Sequence, residues 1–326
     1  MLDAAALRDY DLLRHQAACL PWPNHSRLVV QGDDRVKFLN SYCTNDLTQL
    51  KPGQGCEAFI PNSQGKVLGF VHIYCEPDRL VMETSSDQAA PLIAHLDRYV
   101  LRSKVELIDE TSATRTWLLA GPESTAILQR GTTSSLPHDV IGSAAIDWHG
   151  HHIRVASTRL LTVPAWLISC APDQAAPMQT TIDTQHVPTA DPHAFESLRI
   201  ESGTAFYGID ISVDNLPQEL GIDAQAISFR KGCYLGQETI ARIDAMGHVN
   251  WHWTGFRFSS PACPSRGIEL TANEKPVARI TSVAWSPCLQ SWLGVGYVRR
   301  GFHKSGTELS YESKPVVVTA VPLANP

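Results

Sequence analysis

The chain has 326 residues, 43% of them hydrophobic, with 27 Lys and Arg against 33 Asp and Glu and a formal net charge of −6. At roughly 100–200 residues per domain, that length predicts two or three domains, and the apolar fraction excludes a largely disordered chain. With no apolar run of about 18 residues there is no membrane-spanning helix to expect, and the acidic balance argues against a broad phosphate-binding surface.

The start, MLDAAALRDYDLL, lacks the basic and apolar regions of a secretion signal. A soluble, cytoplasmic chain is therefore expected. Its eight cysteines form no C-x-x-C pair, which disfavours a zinc ribbon or a thioredoxin-like motif. A reducing compartment keeps such thiols free, as small packing residues.

In chain order, the first clear helix begins near Asp33 and Asp34, carries Val36, Leu39 and Cys43 at helical spacing, and ends in Thr44-Asn45-Asp46. Residues 66–74 and 79–83 read as strands, the first introduced by the turn-like Asn62-Ser63-Gln64-Gly65. A helix is predicted over 91–102, strands over 104–109 and 116–120, and a short helix ending at Gly131. Residues 131–145 read as a loop, 152–170 as a hairpin and 171–190 as a connector. The best-marked helix follows, with Asp191 as N-cap, Pro192 at its first position and Gly203 at its end. Beyond residue 251 only short strands appear, over 252–258, 277–284, 292–298 and 316–321. The pattern predicts an α+β body, two-lobed and spanning 1–248, followed by a small β-barrel over 249–326.

Common nucleotide, zinc-protease and hydrolase motifs are missing from the sequence. The cluster His149, His151 and His152 reads as a polar hairpin turn rather than a metal site, and no metal is predicted. Asn24-His25-Ser26 fits a glycosylation sequon that a cytoplasmic chain would not use. The informative run is Arg230-Lys231-Gly232-Cys233-Tyr234-Leu235-Gly236-Gln237-Glu238. Two cations and a helix start beside a thiol favour the thiolate; the bland alternative is a tight loop with an inward cysteine. Glu201 sits in the last turn of the 192–202 helix, where the negative helix end disfavours it. It is either exposed or partnered.

The same run resembles the signature of the YgfZ family of folate-binding proteins, relatives of the glycine-cleavage T protein, an aminomethyltransferase. Weaker blocks occur in matching order: Val29–Asp34 with Thr44-Asn45-Asp46, Gln64–Val67, Tyr99–Val105, Leu198–Gly203, Tyr207–Asp210 and Gly296-Tyr297-Val298. The resemblance implies a T-protein-like fold that binds tetrahydrofolate or a derivative. It further implies that Glu201 holds the pterin edge, that Tyr207, Asp210, Arg199 and Gln237 belong to the same site, and that Cys233, activated by Lys231, is a reactive thiol. Aminomethyltransferases carry a carboxylate in a Gly-Gly-x-x-Asp-Asp strand. The corresponding Gly65–Phe70 here has none, which argues against classical aminomethyl transfer.

The resemblance therefore implies an accessory protein for iron–sulfur cluster assembly or repair, with iron–sulfur proteins as clients and an indirect effect on tRNA modification. The alternative is a folate-dependent methyl or aminomethyl transferase on another substrate.

Overall fold

The computed structural model describes residues 2–23 and 25–324; Asn24, which opens the sequon, lies outside them. Helix α1 (Ala4–His15) and strand β1 (Ala18–Pro21) lead into β2 (His25–Gln31), α2 (Arg35–Asn40), β3 (Gly55–Pro61), β4 (Val67–Cys75), β5 (Arg79–Ser85), α3 (Ala89–Asp97) and β6 (Glu106–Asp109). Then come β7 (Arg115–Ala120), α4 (Ser124–Arg130), β8 (Gly142–Trp148), β9 (His151–Thr158), β10 (Ala165–Cys170) and α5 (Ala175–Thr184). Helices α6 (Pro192–Ser202), α7 (Asp223–Ala226) and α8 (Gln237–Met246) precede β11 (Trp251–Phe258), β12 (Glu269–Ala272), β13 (Lys275–Ser286), β14 (Ser291–Arg299), β15 (Glu308–Tyr311) and β16 (Lys314–Thr319).

The body holds two five-stranded antiparallel sheets, ordered β1-β7-β10-β9-β8 and β3-β4-β5-β2-β6, and β11-β14-β13-β12-β15-β16 close into a barrel. The α+β body and C-terminal barrel expected from the sequence are both present. No helix among the described residues is long and apolar enough to cross a membrane.

The local physics accounts for most boundaries. Helix α6 starts where the Asp191 carboxylate accepts from His193 N at 2.7 Å, and it ends at Gly203, whose φ of +73° suits glycine. Helix α1 was not expected. It is capped by Asp3, which accepts from the amides of Ala5 and Ala6, and it buries Tyr10 and Leu13. The 171–190 connector contains α5, which buries Met178 and Ile182 against the first sheet. Its Pro, Gln and Thr content hides that apolar pair. The sequon's His25 is a buried strand residue, and the three clustered histidines flank the β8–β9 turn, with His151 bonded to Thr181 and His152 paired with Asp147.

Candidate functional site

The cysteine-bearing loop runs between α7 and α8. It is fixed to the segment after α2 by Ser228 N on Thr44 O and Leu235 N on Ser41 O, both 2.9 Å. The Lys231 ammonium is buried and donates to the carbonyls of Asn40, Cys43 and Asn45 at 2.6, 3.0 and 2.6 Å. Burial lowers its pKa, and the three carbonyls replace the water it has lost. Lys231 is thus a staple between two loops; among the described residues no hydrogen bond joins it to Cys233. Cys233 is exposed, as are Cys263 and Cys288, whereas Cys19, Cys43, Cys75 and Cys170 are buried. Gly236 has a φ of +78°, and a Cβ there would stand 2.4 Å from Asn62 O, so the loop abuts the β3–β4 turn. Gln237 opens α8 and accepts from Tyr234 N at 3.4 Å.

Helix α6 presents two charged side chains with different fates. Arg199, fully buried, donates to Glu196 (2.7 and 2.8 Å), to Thr204 O (2.6 Å) and to Asp210 Oδ2 (2.8 Å). Asp210 Oδ1 then accepts from Thr281 and Ser282 of β13, both at 2.6 Å. Successive strand residues normally point to opposite faces. The register shift between Ile280 and Ser282 is a bulge that lets both hydroxyls reach one carboxylate. Arg199 and Asp210 therefore clamp α6 to the barrel.

Glu201 accepts from the Tyr10 hydroxyl at 2.8 and 2.9 Å, from Arg14 at 3.0 Å and from Ser286. Burial raises its pKa against the pull of those donors. Its carboxylate oxygens are largely occupied, so a ligand edge reaches them only if a donor such as the Tyr10 hydroxyl gives way.

A cavity opens instead beside Tyr207, between the sheet of β3–β6 and the chain that follows α6. Trp22, Phe70, Phe206 and Tyr207 contribute to its walls, and Glu57, His72, Glu83, His25 and Arg159 contribute polar groups. Its volume is about 60 Å³.

Three of the polar groups form a row across neighbouring strands: Glu57 of β3 is in register with His72 of β4, and His72 with Glu83 of β5. Arg27 of β2 continues the row opposite Glu83. Burial works to raise the Glu83 carboxyl, but Arg27 and Arg154 outweigh it and hold the carboxyl below its usual range. Arg27 Nε and Arg154 donate to Oε1 at 2.9 and 3.1 Å. Glu83 Oε2 is buried without a hydrogen-bond partner, with His25 Nε2 3.6 Å away. His25 Nδ1 meets the Trp22 carbonyl at 3.0 Å and therefore donates. Burial depresses the His25 pKa and favours the neutral ring, whose Nε2 is then an acceptor, bonded to the Thr116 hydroxyl at 3.1 Å. That leaves Glu83 Oε2 open.

Of the site residues named from the sequence, only Tyr207 lines this cavity; Glu201, Arg199 and Asp210 lie in the α1–α6–barrel contact, Lys231 and Cys233 in the α7–α8 loop, and Gln237 at the start of α8. Glu57, His72 and Glu83 were missed. Their signal was present, since each is an ionisable residue inside a largely buried strand, an arrangement that is costly unless paired.

Residues 2–231 match the GCVT N-terminal domain, and residues 253–326 match the glycine cleavage T-protein C-terminal barrel domain. A chloroplastic protein of Arabidopsis thaliana, named as a candidate transferase, is 27% identical over 299 residues, covering 91% of this chain and 68% of that protein. An aminomethyltransferase of Thermosynechococcus vestitus is 23% identical over 329 residues, covering 99% and 88%. The fold is shared with the crystal structure of the glycine cleavage system aminomethyltransferase T from Bartonella henselae, at a TM-score of 0.84 and 18% identity, covering 98% of this chain and 90% of that one. With a domain model matched over more than half of its length, the chain belongs to the glycine cleavage T-protein family.

Proposed function

We propose that the chain is a tetrahydrofolate-binding protein of the YgfZ type, an accessory in iron–sulfur cluster assembly or repair that affects tRNA modification through its client proteins. The observation that carries the folate half is the open acceptor Glu83 Oε2 in an aromatic-walled cavity. The aromatic walls suit the faces of a flat heteroaromatic ring, and N–H donors on its edge would supply the missing hydrogen bond once the cavity, about 60 Å³, widens to admit it. When bound, the folate supplies a one-carbon carrier. In this reading the chain contributes the Trp22, Phe70, Phe206 and Tyr207 walls and the Glu83 acceptor, and Glu201 receives the pterin edge only by exchanging the Tyr10 hydroxyl for it.

The iron–sulfur half is supported by the Arg230–Glu238 signature and by the exposure of Cys233 at the tip of a loop anchored by Lys231. Its experiment is complementation of a deletion strain. The wild-type gene restores iron–sulfur enzyme activity and Cys233→Ala does not; full restoration by the variant removes the thiol from the account.

A second reading, a folate-dependent one-carbon transferase on another substrate, is favoured by one observation. Gly65–Phe70, the run that the resemblance matches to the aminomethyltransferase strand, has no carboxylate, yet the Glu57–His72 pair faces the cavity that Phe70 lines. Folate-dependent loss of a methyl or aminomethyl donor on incubation with the protein is the measurement that selects it.

A further inference from the structure

We propose that Glu57 and His72 form a proton-exchanging pair serving a nitrogen-bearing ligand in the cavity, a role that rests on the folate reading above. His72 follows Phe70 by two residues on β4, so both side chains lie on one face of the strand, with ring centroids 5.9 Å apart. His72 Nε2 is 3.3 Å from Glu57 Oε1, and the two side chains are 11% and 9% exposed. The carboxylate that residues 65–70 lack is thus supplied by the neighbouring strand, one row further along the sheet.

The surrounding charges set which group carries the proton. From β5, Glu83 faces His72 across the strand pair, but its charge is taken by Arg27 of β2 at 2.7 Å and Arg154 of β9 at 3.1 Å. His25 of β2 lies behind it, 3.6 Å from Glu83 Oε2. From the loop after β9, the half-exposed Arg159 stands 3.9 Å from Glu57 Oε2. Among the described residues, the elements after α6 bring Thr204, Ala205, Phe206 and Tyr207 to the cavity wall, none of them charged. Burial works to raise the Glu57 carboxyl, yet the contact with His72 and the charge of Arg159 hold it below its usual range. Glu57 therefore stays ionised near neutrality and faces the imidazole as an anion.

The step is a simple proton transfer. His72 Nδ1, which has no protein hydrogen-bond partner among the described residues, takes a proton from a ligand N–H. The electron pair of the broken bond stays on the ligand nitrogen, a new N–H bond forms on the ring, and Glu57 faces the resulting imidazolium through Nε2. The reverse transfer restores the neutral ring, and no oxidant or reductant enters.

Two measurements test the pair. In the ligand-free protein, a ¹³C NMR titration of the Glu57 carboxyl is expected to move up by about half a pH unit or more in His72→Gln; an unmoved midpoint overturns the pairing. In the complex of the wild type with 5-formyltetrahydrofolate, the ¹⁵N shift of His72 Nδ1 is expected to take the protonated value, the ligand N–H having passed its proton to that atom. In Glu57→Gln that change is expected to shrink. A Nδ1 shift unmoved by the bound ligand overturns the proposal. If the wild type binds neither 5-formyltetrahydrofolate nor tetrahydrofolate, the folate reading and the ligand role fail together, and the Glu57 titration still decides the pairing.

Discussion

Replacing Asp210 by Asn separates a clamp from a ligand contact. Asp210 is 2% exposed and Arg199 is fully buried, so neither charge is screened by solvent. Four donors converge on the carboxylate: Arg199 at 2.8 Å and the Phe206 amide at 3.0 Å on one oxygen, Thr281 and Ser282 at 2.6 Å on the other. An asparagine turns one of those acceptors into an NH₂ that meets donors, whichever way the amide is oriented. Removing one partner of a buried ion pair costs about 3–5 kcal/mol. Arg199 keeps its two bonds to Glu196, which places the expected loss at the lower end, about 3 kcal/mol. At roughly 2–4 °C per kcal/mol for chains approaching this size, Tm falls by about 6–12 °C. The assay is differential scanning calorimetry at pH 7, with protein concentration and scan rate fixed. A fall of less than about 2 °C, together with lost folate affinity, would refute the clamp and return Asp210 to the ligand site that the resemblance implied.

Other consequences can be checked independently. Glu83→Gln leaves Arg27 and Arg154 without a buried anion and is expected to cost about 3 kcal/mol at pH 7. Because the Glu83 pKa is depressed in the fold, its contribution is present above the unfolded value of about 4.3 and is lost as pH falls through the lower folded value. The Tm gap between wild type and Glu83→Gln therefore narrows below about pH 4 in thermal scans; a constant gap contradicts the ion-pair assignment. Gly236→Ala pushes a Cβ to 2.4 Å from Asn62 O at a φ of +78°, and a loss of about 2 kcal/mol or more is expected in denaturant melts. Lys231→Met leaves the carbonyls of Asn40, Cys43 and Asn45 without their donor; faster amide hydrogen exchange in the loop before α8 is expected, and unchanged exchange there removes the staple. With an aromatic disulfide reagent, Cys233, Cys263 and Cys288 react in the folded protein, while Cys19 and Cys43, held by burial at about 12 and 11, react only after unfolding.

The sequence displayed the fold through features that act locally. Asp191, Pro192 and Gly203 mark α6 because capping and positive φ are decided within a few residues, and the barrel strands show through their turns. It hid α1 and α5, whose helical character depends on burying Tyr10, Leu13, Met178 and Ile182 against distant sheets. The candidate site was harder, because a cavity is made of register. Glu57, His72 and Glu83 are separated by 15 and 11 positions and meet only because β3, β4 and β5 pair as they do. In the same way Arg199, Glu201 and Asp210 were visible as charged residues on or after one helix, but their partners Tyr10, Ser282 and Ser286 come from both ends of the chain.

The measurement that bears most directly on this account is the titration of the purified protein with tetrahydrofolate, followed by the fluorescence of its tryptophans under anaerobic conditions. Saturable quenching by the wild type, weakened at least about tenfold in Glu83→Gln as expected for loss of a charged hydrogen bond, is the predicted result. No saturable binding by the wild type, or equal affinity in the two proteins, would contradict it.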